Sequence, residues 1–174
     1  MPEQARLASV FANYSADKLV QLSSRIQDCL AKLTPEQIWT RNSQSENAVG
    51  NLVLHLCGNV NQWIGTGVAG KPDNRVRDQE FAARGEITPT ELSQRLSTTI
   101  EEAVLTIRAL PAEPLDQQLS VQKYNVPVLE AVYQVFEHFS QHVWQLMFPP
   151  QLLTGRKPAN PQPLNTPTHA CTPH

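Results

Sequence analysis

The sequence predicts an all-α four-helix bundle. Three observations carry that expectation: apolar residues recur at three- and four-residue steps in four long segments, most of those segments open on helix caps, and only one short run reads as extended. The first segment sets Phe11, Leu19, Leu22, Ile26, Leu30 and Leu33 on one stripe and predicts a helix over 5–32. Thr34, Pro35 and Gln37 follow as a capping box with proline at the first helical position, starting a short turn that ends near Trp39. Ser43 with Glu46 reads as a second box, and Val49, Leu52, Val53, Leu56, Val60, Trp63 and Ile64 share a face, so a helix is expected over 44–64 with Gly65 as its C-terminal stop. After a polar loop, Thr88, Pro89 and Glu91 open a third long helix, 89–110, closed by Pro111 and Pro114. The run LSVQKYNV within 115–126 is extended in character, but a single run makes no sheet. The last helix is expected over 127–148, carrying Val132, Val135, Phe136, Phe139, Val143, Leu146 and Met147 until Pro149 and Pro150 break it.

Seven of the 14 prolines fall in the last 26 residues, and no charged side chain follows Lys157. Such a segment can neither continue a helix nor bury an apolar face, so 1–155 reads as one helical domain and 156–174 as a disordered tail. At 174 residues with 40% apolar side chains, the chain is long enough to build a core. Fourteen Lys and Arg against sixteen Asp and Glu leave no basic surplus for a nucleic-acid backbone. No apolar run approaches a bilayer span, and the N-terminus lacks the pattern of a secretory signal, which predicts a soluble cytoplasmic protein with neither membrane nor nucleic acid as a partner. Cys29, Cys57 and Cys171 form no CxxC pair, so neither a disulfide framework nor a thiolate zinc site is signalled.

Chemistry points to the histidines. His138 and His142 are spaced i, i+4, which places two imidazoles on one helical face, a common way for a helix to supply two metal ligands. At 100° per residue they flank the apolar stripe of their helix at about 240° and 280°. His55 and Asn59 hold the same shoulder of the second long helix. An unpaired buried imidazole is costly, and three converging on one divalent ion are satisfied together.

The strings NAVGNLVLHLCGNVNQWI at 47–64 and VPVLEAVYQVFEHFSQHVWQ at 126–145, with RDQEF at 77–81 and LLTG at 152–155, resemble the DinB/YfiT-like superfamily of metal-binding four-helix bundles. The resemblance implies that His55, His138 and His142 bind one divalent metal, zinc or nickel, with a coordination position left for water or a thiolate. Characterised members are bacillithiol S-transferases and a mycothiol-dependent maleylpyruvate isomerase, and others are described as hydrolases. The implied function is therefore that of a metal-dependent enzyme, of thiol S-transferase or hydrolase type, acting on a small electrophilic molecule. The alternative is a non-catalytic bundle whose ion serves stability or a partner surface. Pairing through helix faces, common in the superfamily, together with the off-stripe Tyr133 and Trp144, suggests a homodimer.

Other motifs are expected to carry structure alone. Gly65, Gly67 and Gly70 spell GxGxxG, but they follow a helix where a dinucleotide site needs a strand. Cys57 turns away from the His55 shoulder, and Glu137 points to solvent. Asn59 has two readings, a bond to a helix neighbour, which is preferred, or a bond to a metal-bound water. In the polar loop Lys71, Arg75, Arg77 and Arg84 are balanced by Asp73, Asp78, Glu80 and Glu86, which reads first as a solvated mixed-charge loop. The second reading folds that loop over the bundle end to lend an arginine to an anionic substrate.

Overall fold

A computed structural model of the chain describes residues 3–41, 43, 46–110 and 115–154, of which 148–154 are described in their backbone alone. Pro111, Pro114 and the expected tail at 156–174 lie outside the described residues. Helix α1 spans Glu3–Leu30, α2 Pro35–Trp39, α3 Val49–Val60, α4 Arg77–Ala82, α5 Pro89–Arg108 and α6 Val128–Thr154, with strands β1 (Gln118–Val121) and β2 (Tyr124–Pro127) before α6. The four long helices form the expected bundle. Helix α1 packs on α5 and α6, and α3 packs on the same two, so α1 faces α3 across one diagonal and α5 faces α6 across the other. Between them lie the buried side chains of Leu19 and Ile26, Val53 and Leu56, Leu92 and Leu96, and Val135 and Phe139. No helix among the described residues is long and apolar enough to cross a membrane.

The local caps at α2 and α5 form as expected. Thr34 and Gln37 exchange backbone and side-chain bonds, as do Thr88 and Glu91. Helix α3 corrects the expected boundaries at both ends. It begins at Val49, not 44: Ala48 is the cap residue, and Asn51, three residues on, closes the end, its Oδ1 accepting the Ala48 N–H at 3.1 Å. Ser43 and Glu46 instead form a turn, with Glu46 N donating to Ser43 O at 3.2 Å. At its far end α3 passes Gly65 as a π-helical stretch, Asn61–Val68, and stops only at Gly70, whose φ of +68° closes the end. Gly67 explains why a glycine stands inside that stretch: a Cβ there would come within 2.4 Å of Val121 Cγ2 on β1.

The run expected to stay single is a hairpin. It folds back on itself through Gln122, at φ 56°, pairing Val121 with Tyr124 and Gln118 with Pro127. Helix α6 does not end at the prolines but continues to Thr154. Proline keeps a helical φ, but inside a helix it removes the N–H that would bond four residues back and crowds the carbonyl there. For Pro150 that orphaned acceptor is the Leu146 carbonyl, and the Cys29 thiol of α1 donates to it at 3.0 Å.

Candidate metal centre

Helices α3 and α6 are neighbours in the bundle, and their histidine shoulders meet. His55 from α3, and His138 and His142 from α6, each offer a ring nitrogen within 4.8 Å of the others; among the described residues no Cys, Asp or Glu joins them. His55 is buried at 5% exposure, and the other two are half-buried. The rings meet edge to face, with centroids 4.5 Å apart for His138 and His142 and 4.9 Å for His55 and His138.

Hydrogen bonds settle which nitrogens are free. His55 Nδ1 lies 3.0 Å from Glu80 Oε2. A carboxylate only accepts, so Nδ1 carries the hydrogen and Nε2 keeps its lone pair. Arg75 Nη2 also comes within 3.1 Å of that Nδ1, but both are donors converging on the same oxygen, which Nη2 reaches at 2.9 Å. His138 Nε2 sits 2.9 Å from His55 Nε2, so the hydrogen between them belongs to His138. His142 Nδ1 donates to Gln145 Oε1 at 2.7 Å, which frees its Nε2.

Burial pushes the His138 imidazole down to about 4, helped by the neighbouring His142 and His55 rings and by the positive charge of Arg75 and Arg77. Burial also lowers His142, against an opposing bond to Gln145. Both rings are neutral at pH 7, the form in which imidazole binds metal.

In the loop between α3 and α5 the charged residues are exposed as expected of a solvated stretch, except for one pair. Glu80 and Arg75 are buried against α3, with Arg75 Nε donating to Glu80 Oε1 at 2.7 Å. They lie directly on the helix backbone at Gly58, where a Cβ would meet Glu80 Oε1 at 2.0 Å. Burial, the largest influence on Glu80, pushes its carboxyl up, but the bonds from Arg75 and His55 outweigh it and hold the group below its ordinary value. Asn51 fixes the short helix that carries Glu80, donating to the carbonyls of Glu80 and Ala83 at 2.9 and 3.0 Å. Gln62, from the π-helical stretch, holds the preceding loop through Asp73 and Arg75, both at 2.8 Å. On the other side of the pair, Arg75, Glu80, Gly58, Cys57 and Thr99 help to line a cavity of about 700 Å³ that the histidines do not reach.

Sequence reasoning missed Glu80 as a partner of His55. The signal that could have found it was Gly58, a glycine in a helix interior three residues after His55, where close approach of another segment is a usual cause. Asn59 is buried, and its Oδ1 has no hydrogen-bond partner among the described residues, so the preferred reading of a bond to a helix neighbour finds no support for that atom. Glu137, Tyr133 and Trp144 are exposed, and Cys57 is buried beside Thr99 of α5. The GxGxxG glycines belong to the end of the π-helical stretch and its stop, which accounts for them structurally.

The family model described as a protein of unknown function (DUF1572) matches residues 6–159. No curated protein matches the chain significantly. Among solved structures, a conserved protein from Enterococcus faecalis superposes with a TM-score of 0.67 at 16% identity, covering 82% of this chain and 96% of that one. The mycothiol-dependent maleylpyruvate isomerase, solved also as a histidine-to-alanine mutant, superposes with a TM-score of 0.62 at 12% identity. That match covers 78% of this chain but 60% of the isomerase, so this chain spans well under two thirds of that enzyme. At such identities the likeness establishes a shared DinB/YfiT-like fold.

Proposed function

The chain belongs to the DUF1572 family of proteins of unknown function, and we propose that it is a metal-dependent enzyme of thiol S-transferase or hydrolase type, acting on a small electrophile. The observation that carries this reading is the convergence of three imidazoles, each bringing one ring nitrogen within 4.8 Å of the others, with no fourth donor among the described His, Cys, Asp and Glu residues. Three nitrogens and an open position are the ligand pattern of catalytic zinc sites, whereas structural sites close with four protein ligands. Zinc nitrogens stand about 3.4 Å apart when tetrahedral, near the 2.9 Å between His55 and His138 Nε2. Zinc or nickel suits an all-imidazole set.

His55, His138 and His142 would hold the ion. When bound, it supplies Lewis acidity that activates a water or a low-molecular-weight thiol near neutral pH. Glu80 fixes the tautomer and ring plane of His55, and Arg75 keeps Glu80 ionised. The proton on His138 Nε2 must move to Nδ1 before that nitrogen can bind, which costs little because the ring is already neutral. Asn59 Oδ1, an acceptor without a donor among the described residues, is suited to orient an N–H or O–H of the substrate or thiol. A homodimer is part of the same proposal. Its support is the apolar exposure of Leu7, Val10 and Tyr14 on α1 and of Leu129, Tyr133 and Trp144 on α6, and a monomeric mass by light scattering would remove it.

Elemental analysis of purified protein tests the reading. One divalent ion per chain is expected, and none in His55→Ala, His138→Ala or His142→Ala, while His169→Ala stays loaded. A His138→Ala protein that keeps one tightly bound ion would overturn it, as would an ion whose spectrum shows no exchangeable ligand.

A further inference from the structure

Four cations stand in the segment that crosses the site, and three are spoken for. Lys71 pairs with Glu102, Arg75 with Glu80, and Arg84 donates to the carbonyls of Phe81 and Ala83. Arg77 has no hydrogen bond and no acidic partner among the described residues. Its guanidinium instead lies over the Phe81 ring, 5.3 Å from the centroid, one helical turn along α4. That ring in turn sits 4.9 Å from the imidazole of His55. The exposed guanidinium is thus carried by an aromatic plate to the edge of the three-histidine cluster, close enough for its charge to act on His138.

The cation–π contact with Phe81 favours this position of the guanidinium and uses none of its N–H groups. A planar fork without an acidic partner among the described residues, resting beside the site, matches a carboxylate in two parallel hydrogen bonds. Neither Arg77 nor Phe81 lines the 700 Å³ cavity on the far flank of α3, so this geometry belongs to the histidine side. The local field is also suited to an anion, because Arg41 donates to the Phe81 carbonyl and the acid bonded to His55, Glu80, is neutralised by Arg75.

We propose that Arg77, seated on Phe81, reads a carboxylate of the substrate, so the small electrophile taken at this site is an organic acid. The inference rests on the functional reading above for the site, but its own test reads carboxylate recognition and not turnover. Isothermal calorimetry with succinate, and with uncharged succinamide as control, is run on zinc-loaded and on chelator-treated protein. Succinate should bind the wild type at least tenfold tighter than succinamide. Arg77→Gln should lose about 10- to 100-fold of succinate affinity, the usual worth of charge-assisted bonds, with succinamide binding and zinc content unchanged. Arg108→Gln, whose partner Asp17 lies on α1, should behave as wild type. Equal succinate affinity in wild type and Arg77→Gln, or no preference for succinate over succinamide, overturns the proposal. Failure of the wild type to take up zinc would instead remove the metal reading, while the preference measured on metal-free protein still decides the role of Arg77.

Discussion

Replacing Glu80 by Gln isolates what the outer carboxylate does. In the structure Glu80 accepts from His55 Nδ1 at 3.0 Å and from Arg75 Nε and Nη2 at 2.7 and 2.9 Å, with side chains of Glu80 and Arg75 only 10% and 8% exposed. A glutamine amide can accept at one oxygen alone, and its NH₂ would face either the guanidinium or the imidazole. Facing His55, it would donate to Nδ1 and drive the ring hydrogen onto Nε2, the nitrogen needed for the ion. Loss of such an outer partner typically weakens metal binding 10- to 100-fold, about 1.4–2.7 kcal/mol. The same change strands Arg75 as a buried charge, which costs about 3–5 kcal/mol of stability. A domain of this size holds roughly 5–15 kcal/mol, so the variant should fold but unfold at lower urea. Adding Arg75→Met removes the stranded charge and should restore much of the stability without restoring zinc affinity. Zinc competition against a chromophoric chelator, beside urea titration of the metal-free proteins, separates the two effects. Wild-type zinc affinity in Glu80→Gln would refute the argument that this carboxylate orients His55.

Further outcomes follow from other contacts. The His138 and His142 pKa values are lowered in the folded chain, so below about pH 6.5 the unfolded chain binds more protons and stability falls with pH, down toward about 4 for His138. After allowance for solvent screening of a half-buried ring, His138 accounts for about 1–2 kcal/mol of that loss, measurable as a flatter pH profile of urea midpoints in metal-free His138→Gln. Gly58→Ala should push the Arg75 and Glu80 pair off α3, since its Cβ falls 2.0 Å from Glu80 Oε1; a loss of about 1–3 kcal/mol and weaker zinc binding are expected in the same two assays. Cys29→Ala removes the thiol donor from the Leu146 carbonyl and should cost about 1 kcal/mol or more in thermal unfolding, with Cys29→Ser closer to wild type.

What the sequence revealed and what it hid divide along a physical line. Thr34 with Gln37 and Thr88 with Glu91 were legible because a capping box closes within four residues and needs no tertiary partner. Ser43 with Glu46 carried the same pattern, but α3 starts further on, where Asn51 closes its end with a side chain that also serves the carbonyls of Glu80 and Ala83 about 30 residues away. Gly65 looked like a stop, yet the helix runs on because Gly67 is needed further along, against Val121. Helical spacing foretold that His138 and His142 share a face, and the angular match with His55 foretold the meeting of the three. No local rule could mark Glu80 out from Asp78 or Glu86, since its role arises from where the loop crosses α3.

The meeting of His55 and His138 joins positions 83 residues apart, across a seam between helices that the chain visits third and last among the six. An ion seated there would act as a cross-link as well as a reagent. Closing a loop of that length removes chain entropy from the unfolded state equivalent to about 4.5 kcal/mol by the reckoning used for disulfides. Unlike a disulfide, this tie is undone by a chelator or by acid, so the cohesion of the α3–α6 seam would track the supply of metal.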